Sequence, residues 1–281
     1  MNEIFSFDAL LPAEMARKAE NAGVAKAELG HWRMLALAVL AGAFVGLGAV
    51  FATTVTTGGS GLTYGINRLA GGLVFCLGLI LVVVAGAELF TGNNLIVMAW
   101  ASGKVSTGRL LRNWGIVYVG NFLGSLLTAV GMFLSGQYKA AGGALGINAL
   151  NIAQAKVSLG FAEALILGVF CNVLVCLAVW LCMSARSTTD KILAIIFPIT
   201  AFVAAGFEHS VANMYFIPLG LFIKQWGGLE VAAADYANLT WANFFLANLL
   251  PVTIGNIIGG AGLVGLVYWF IYLRPRRDGK S

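Results

Sequence analysis

The chain has 281 residues, of which 59% are hydrophobic and 10% charged, with a mean hydropathy of +0.88. A soluble domain carries about 25% charged residues to solvate its surface, so these proportions exclude a water-soluble fold and point to an all-α membrane protein with the lipid bilayer as its solvent. The net charge of +5 is not a nucleic-acid signal, because Lys and Arg gather in loops and tails between long apolar runs.

Residues 1–33 contain no short apolar core and read as a cytoplasmic, partly amphipathic segment rather than a cleaved leader. A helix needs about 20 apolar residues to cross ~30 Å of hydrocarbon. Six stretches qualify: 34–56, 69–101, 113–135, 157–184, 192–223 and 243–273. They make 34–273 a six-helix transmembrane domain and leave 274–281 as a tail, with turn-rich sequence at 56–65 and 136–146. Most basic residues fall in the N-terminal segment, in the loops holding Lys104, Arg109 and Arg112 and then Arg186 and Lys191, and in the tail. The other side holds only Arg68, Lys139, Lys156 and Lys224. By the positive-inside rule both termini are cytoplasmic, in a cell's inner membrane. Trp32, Trp100, Trp114, Trp226 and Trp241 fall near span ends, where interfacial aromatics belong.

Two spans are too long for a single crossing. The 32 residues between Lys191 and Lys224 would reach about 48 Å as one helix, and 35 separate Arg68 from Lys104. An internal repeat explains the excess. Gly86-x-Glu88-x-x-x-x-Asn93 in the second span matches Gly206-x-Glu208-x-x-x-x-Asn213 in the fifth. Gly120-Asn121-x-x-Gly124 in the third matches Gly255-Asn256-x-x-Gly259 in the sixth. Two matches in order indicate a duplication of three spans. Three being odd, the second copy enters the bilayer from the opposite side, giving an inverted 3+3 repeat with broken second and fifth helices. Gly92, Asn93 and Asn94 supply turn chemistry at the first break, and Pro198 and Pro218 flank the second. Half-helix N-termini expose free N–H groups and partial positive charge, which suits an anion. The Gly-Asn segments read as close helix packing, with direct pathway contact by Asn121 or Asn256 as the alternative.

Four ionisable groups lie deep in apolar sequence: Glu88, Glu163, Glu208 and His209. Each is costly in lipid and should face the protein interior. His209 is read as a pathway residue that offers a hydrogen bond or proton to a passing anion; a neutral imidazole bonded to a helix carbonyl is the plainer alternative. A carboxylate lining an anion path would repel its cargo, so Glu88 and Glu208 are read as scaffold that caps free N–H groups at the breaks, with Asn93 and Asn213. Glu163 reads as a further buried carboxylate without assigned role. Thr91, at the break opposite His209, can offer a hydroxyl. Lys156, placed at the start of the fourth span, either snorkels to the interface or concentrates anions at the mouth. Cys76, Cys171, Cys176 and Cys182 lack CxxC or histidine at ligand spacing and read as packing residues. No metal, cofactor or catalytic motif is expected, so the chain does not read as an enzyme.

Phe7-Asp-Ala-Leu-Leu-Pro12, Leu89-Phe90-Thr91, Gly206-Phe-Glu-His-Ser-Val-Ala-Asn213 and Asn248-Leu-Leu-Pro251 running on through Gly260 resemble the formate/nitrite transporter family, nearest its formate channels. The resemblance spans almost the whole chain. It implies a homopentamer with a pore in each protomer and an aquaporin-like six-span fold. It implies that His209 is the central histidine and Thr91 its hydroxyl partner. Phe75 and Phe202 would form the outer constriction, and Leu79, Leu89 and Phe90 the inner one. Asn172 would line the pore, Lys156 would stand in the vestibule, and the N-terminal helix would affect gating. One departure is Glu88-Leu-Phe-Thr-Gly92 where those channels carry Asp-Leu-Phe-Thr-Ser, the glycine implying a more flexible loop.

The expected function is passage of formate, a small monovalent anion, with proton-coupled uptake at low pH. Nitrite and hydrosulfide are alternative cargoes, and a non-transport receptor or assembly protein is the alternative of another class. A neutral-solute channel would show paired Asn-Pro-Ala breaks, and an ammonium channel would show two deep histidines.

Overall fold

The computed structural model describes residues 9–58, 61–230 and 232–275. Phe7 and Asp8 of the N-terminal motif, and residues 276–281 of the tail, lie outside the described residues.

Ten helical elements account for most of the described chain. A short helix α1 (Pro12–Glu28) precedes α2 (His31–Val55). The second span is α3 (Tyr64–Gly86), an α-helix to Ile80 that ends in a π-helical turn. After an extended break comes α4 (90–101), and then α5 (Thr107–Leu134). The second half begins with α6 (Ala144–Val157) and α7 (Phe161–Ser184). The fifth span is α8 (Thr188–Ala205), a break, and α9 (Ser210–Trp226). The last is α10 (241–272), with π-helical stretches at Phe244–Leu249 and Ile258–Leu266. Six of these elements or their runs are long and apolar enough to cross a membrane.

Both breaks begin at a glycine that only a residue without Cβ adopts easily: Gly86 at φ +84° and Gly206 at φ +79°. Extended residues follow, Ala87 to Leu89 in one case and up to His209 in the other. The first break therefore lies upstream of Gly92, Asn93 and Asn94, which are helical. Gly92 has no positive φ, and a Cβ there would meet Val179 Cγ2 at an ordinary 3.6 Å, so the local backbone does not need glycine. Pro198 and Pro218 sit inside α8 and α9, away from the break itself.

The two halves repeat one set of close approaches. A Cβ on Gly124 would stand 2.0 Å from Val39 O, and one on Gly259 would stand 2.1 Å from Val169 O. Helices α2 and α5, and likewise α7 and α10, thus pack backbone to backbone through the Gly-Asn segments. Asn148 Nδ2 donates to Thr53 O, which places α6 at the C-terminal end of α2. Helix α1 leads into the N-terminal end of α2, and Lys18 Nζ reaches Met183 O at the end of α7. Helices α2 and α7 accordingly run in opposite directions between the α1 end and the α6 end of the molecule.

Three sequence expectations change. Residues 144–157 form a helix of their own, burying Leu145, Ala149, Leu150, Ala153 and Val157. Lys156 closes that helix instead of opening the fourth span, which starts at Phe161. Glu163 is exposed, not buried: it occupies the first turn of α7, where its Oε2 accepts from Gly160 N, because a carboxylate there satisfies a free N–H and the helix dipole.

Candidate functional site

The two breaks meet in the interior, and each is tied down by the same set of four side chains, one glutamate, one lysine and two asparagines. At the first, Glu88 takes Lys26 Nζ at 2.7 Å and Asn93 Nδ2 at 2.7 Å. Asn93 also donates to Asn113 Oδ1, whose own amide donates to Lys26 O. At the second, Glu208 takes Lys156 Nζ at 2.7 Å and Asn213 Nδ2 at 2.6 Å. Asn213 donates to Asn248 Oδ1, and Asn248 donates to Lys156 O. A buried carboxylate demands a paired cation, and α1 and α6 each deliver one lysine from opposite ends.

The free N–H groups at the breaks are satisfied by other residues than expected. Phe90 N donates to Asn121 Oδ1 at 2.8 Å, and Ser210 N donates to Asn256 Oδ1 at 3.0 Å. The amides of these asparagines return to Ala38 O and Glu88 O in one half, and to Gly168 O and Glu208 O in the other. Glu88 and Glu208 thus turn toward lysine, and neutral amides do the capping. Asn121 and Asn256 are fully buried.

His209 stands at the start of α9, 3% exposed. Its Nδ1 accepts from Ala212 N at 3.1 Å, and its Nε2 lies 3.0 Å from Thr91 Oγ1. Since Ala212 N can only donate, Nδ1 carries a lone pair. The proton of the neutral ring is therefore on Nε2 and points at the Thr91 hydroxyl. A polar pair drawn from both breaks is thus poised at the centre of an apolar surround.

That surround is a void of about 10 Å³ between Phe75, Leu79, Leu89, Phe202 and His209, closed by Val45, Val175 and Ile199. It has room for about one water. Phe202 stacks on His209 with centroids 5.8 Å apart and meets Phe75 edge-on at 5.7 Å. On the α6 side of this ring opens a cavity of about 420 Å³, with His209, Glu208, Lys156 and Arg68 among its lining residues. His209 faces both spaces.

The sequence-derived site residues therefore divide. Phe75, Leu79, Leu89, Phe202 and His209 converge on the central void, with Thr91 bonded to the ring. Lys156 lines the wide cavity. Phe90 instead packs edge-on against Tyr118 and Trp114. Asn172 lines neither space; its amide joins Thr91 O, Asn94 Oδ1 and Asn256 O, holding three segments behind the first break. Sequence reasoning gave no site role to Asn113, Lys26 or Asn248, the last quoted only as part of a motif. The duplication could have supplied the lysine, since a cation opposite Glu208 implies one opposite Glu88.

Six apolar spans, the second and fifth of them broken around a buried histidine–threonine pair, define a multi-pass membrane transport protein. The formate/nitrite transporter family profile matches residues 13–270, and the chain belongs to that family. It is 49% identical over 274 residues to the formate channel FocA of Escherichia coli strain K12, covering 95% of this chain and 96% of that one. It is 42% identical to the formate channel FocA of Haemophilus influenzae, covering 94% and 95%. A solved structure described as a pentameric formate channel with formate bound superposes with a TM-score of 0.82 at 47% identity, over 87% of this chain and 98% of that one. An ion channel of the same family gives 0.78 at 30% identity, over 92% and 98%.

Proposed function

We propose that the chain passes formate across the inner membrane, through a pathway in each protomer of a homopentamer, with both termini in the cytoplasm. The two halves would form an inverted 3+3 repeat of aquaporin-like shape, a reading supported by the recurring bonds at Glu88 and Glu208 and the opposite run of α2 and α7. The observation that carries the functional reading is His209, bonded to Thr91 and facing a void ringed by Phe75, Leu79, Leu89 and Phe202. The relatives named as formate channels support the choice of cargo.

An anion alone in an apolar constriction loses its hydration, which is a large unfavourable term. The Thr91 hydroxyl and the His209 Nε2–H are the donors in position to offset it, by turning from each other to the anion. The void is too small for formate as it stands, so passage needs rotamer motion of the ring of Phe and Leu side chains. At low pH, a protonated His209 gives its Nε2 proton to formate, which then leaves as the neutral acid. That charged state places a proton on Nδ1 facing Ala212 N, so it requires the cap at the start of α9 to open. Lys156 and the N-terminal helix α1 attend the outer and inner mouths respectively.

Flux assays in liposomes with formate, nitrite, hydrosulfide, glycerol and ammonium test the reading. Formate is expected to pass, with glycerol and ammonium excluded. Faster passage of nitrite or hydrosulfide than of formate would replace formate as the cargo, and no flux of any anion would leave a non-transport role. In the same assay, His209→Asn is expected to change the pH dependence of formate flux; identical flux at every pH would remove His209 from proton coupling.

A further inference from the structure

We propose that Arg68 is the charge that receives the anion in the outer cavity, holding a small monocarboxylate above the Phe75–Phe202 ring before it meets His209. This rests on the formate reading above. The cavity of about 420 Å³ has three charged lining residues: Arg68, Lys156 and Glu208. Lys156 and Glu208 lie 2.7 Å apart, and their side chains are 16% and 5% exposed. They neutralise one another, so at any distance beyond the pair they present a dipole, not a net charge. Arg68 is left as the uncompensated cation.

Its placement is built. Arg68 stands in the second turn of α3 and reaches across to the end of α8. Nε donates to Ala204 O at 3.1 Å, and Nη2 donates to Val203 O. These are last-turn carbonyls of the broken fifth span, where helix termini leave acceptors unfilled and the dipole favours a cation. Gly206 gives the guanidinium room: a Cβ there would come within 3.2 Å of Nη2. No carboxylate among the described residues pairs with Arg68. A guanidinium has five N–H donors in a planar fork, so anchoring two leaves a fixed edge for a carboxylate, the geometry that Arg matches best. Asn151 lines the same cavity, and its Oδ1 is already committed to Tyr236 OH.

The experiment measures formate entry from each face of oriented proteoliposomes at about 0.01 M and about 0.15 M potassium gluconate, over which the Debye length falls from about 30 Å to about 8 Å. Wild type is expected to need more formate for half-maximal outer entry at the higher salt. Arg68→Gln is expected to raise that concentration by about three- to tenfold at low salt and to flatten its salt dependence. Its maximal flux and its inner-face half-saturation should hold. Arg68→Lys, which keeps the charge without the fork, should retain the salt dependence. Equal loss of maximal flux from both faces with half-saturation unchanged would make Arg68 a helix cap alone and overturn the proposal. So would an Arg68→Gln channel that keeps the wild-type salt dependence. Should Arg68→Gln fail to fold, a wild-type outer entry indifferent to salt would overturn it. Wild type that passes no formate at either salt would overturn the functional reading, and this proposal with it.

Discussion

Because Nδ1 of His209 accepts from Ala212 N while Nε2 faces Thr91 Oγ1, one ring caps a helix and presents a donor to Thr91. The two roles are separable by substitution. Asparagine is a good N-cap and offers its side-chain oxygen to the same N–H, whereas phenylalanine offers nothing. Both variants remove the partner of the buried Thr91 hydroxyl, but only His209→Asn keeps the cap, so His209→Phe should fall below His209→Asn by about 1 kcal/mol, both read by thermal unfolding in detergent. Thr91 is fully buried, so Thr91→Val would strand the Nε2–H of His209. A stranded buried donor costs about 1–3 kcal/mol. The loss of the hydroxyl that partners His209 should also slow formate flux, and Thr91→Ser should restore both. An equal flux in Thr91→Val would show that the hydroxyl does not help to desolvate the anion.

Helix breaks at bilayer depth stand or fall with how their backbone is satisfied. Asn121 serves Phe90 N, Ala38 O and Glu88 O, and Asn256 serves Ser210 N, Gly168 O and Glu208 O. Equal duties predict equal penalties. Asn121→Ala and Asn256→Ala should each destabilise by at least about 1–3 kcal/mol, the cost of unpaired buried polar groups, and a large gap between their melting shifts would break the equivalence. The Gly-x-Glu and Gly-Asn matches made the breaks and these packed helices readable from sequence, because a close backbone approach tolerates only glycine and a buried carboxylate is rare in lipid-facing sequence. Their exact position was less readable. Asn93 and Asn94 carry turn chemistry in isolation, yet they bond sideways to Glu88 and Phe90 O within a helical turn, while Gly86 makes the bend. Likewise Glu163 lies in apolar sequence but sits at a helix start, which hydropathy alone does not reveal. A related check is Gly92→Ser: with Val179 Cγ2 at 3.6 Å from the added Cβ, it should fold normally and leave the order of formate and nitrite fluxes unchanged.

Across the whole molecule, the contacts that recur in the two halves reach beyond the spans to α1 and α6. Helix α6 was not legible because its 14 residues are too short and too polar to register as a span, and its buried face is set by contacts with α9 and the 138–143 turn. It becomes intelligible beside α1, which holds Lys26 to Glu88 as α6 holds Lys156 to Glu208. Each break is then served by a lysine and a carboxylate whose charges cancel locally. Removing one member of such a buried pair leaves a lone charge and costs about 3–5 kcal/mol, whereas removing both is often neutral. Lys156→Met should accordingly destabilise the protein and expose Glu208 as a net negative charge at the outer mouth, slowing formate entry from that face on the order of tenfold. Lys156→Met with Glu208→Gln should recover both stability and outer entry, since the neutral pair leaves Arg68 uncompensated as before. Lys26→Met should act on entry from the inner face, with a smaller stability loss because Lys26 is 34% exposed against 16% for Lys156. Sided flux and thermal unfolding on the same preparations separate the two effects. Entry slowed equally from both faces by either lysine variant would mean that the lysines act on the central void and not on their own mouths.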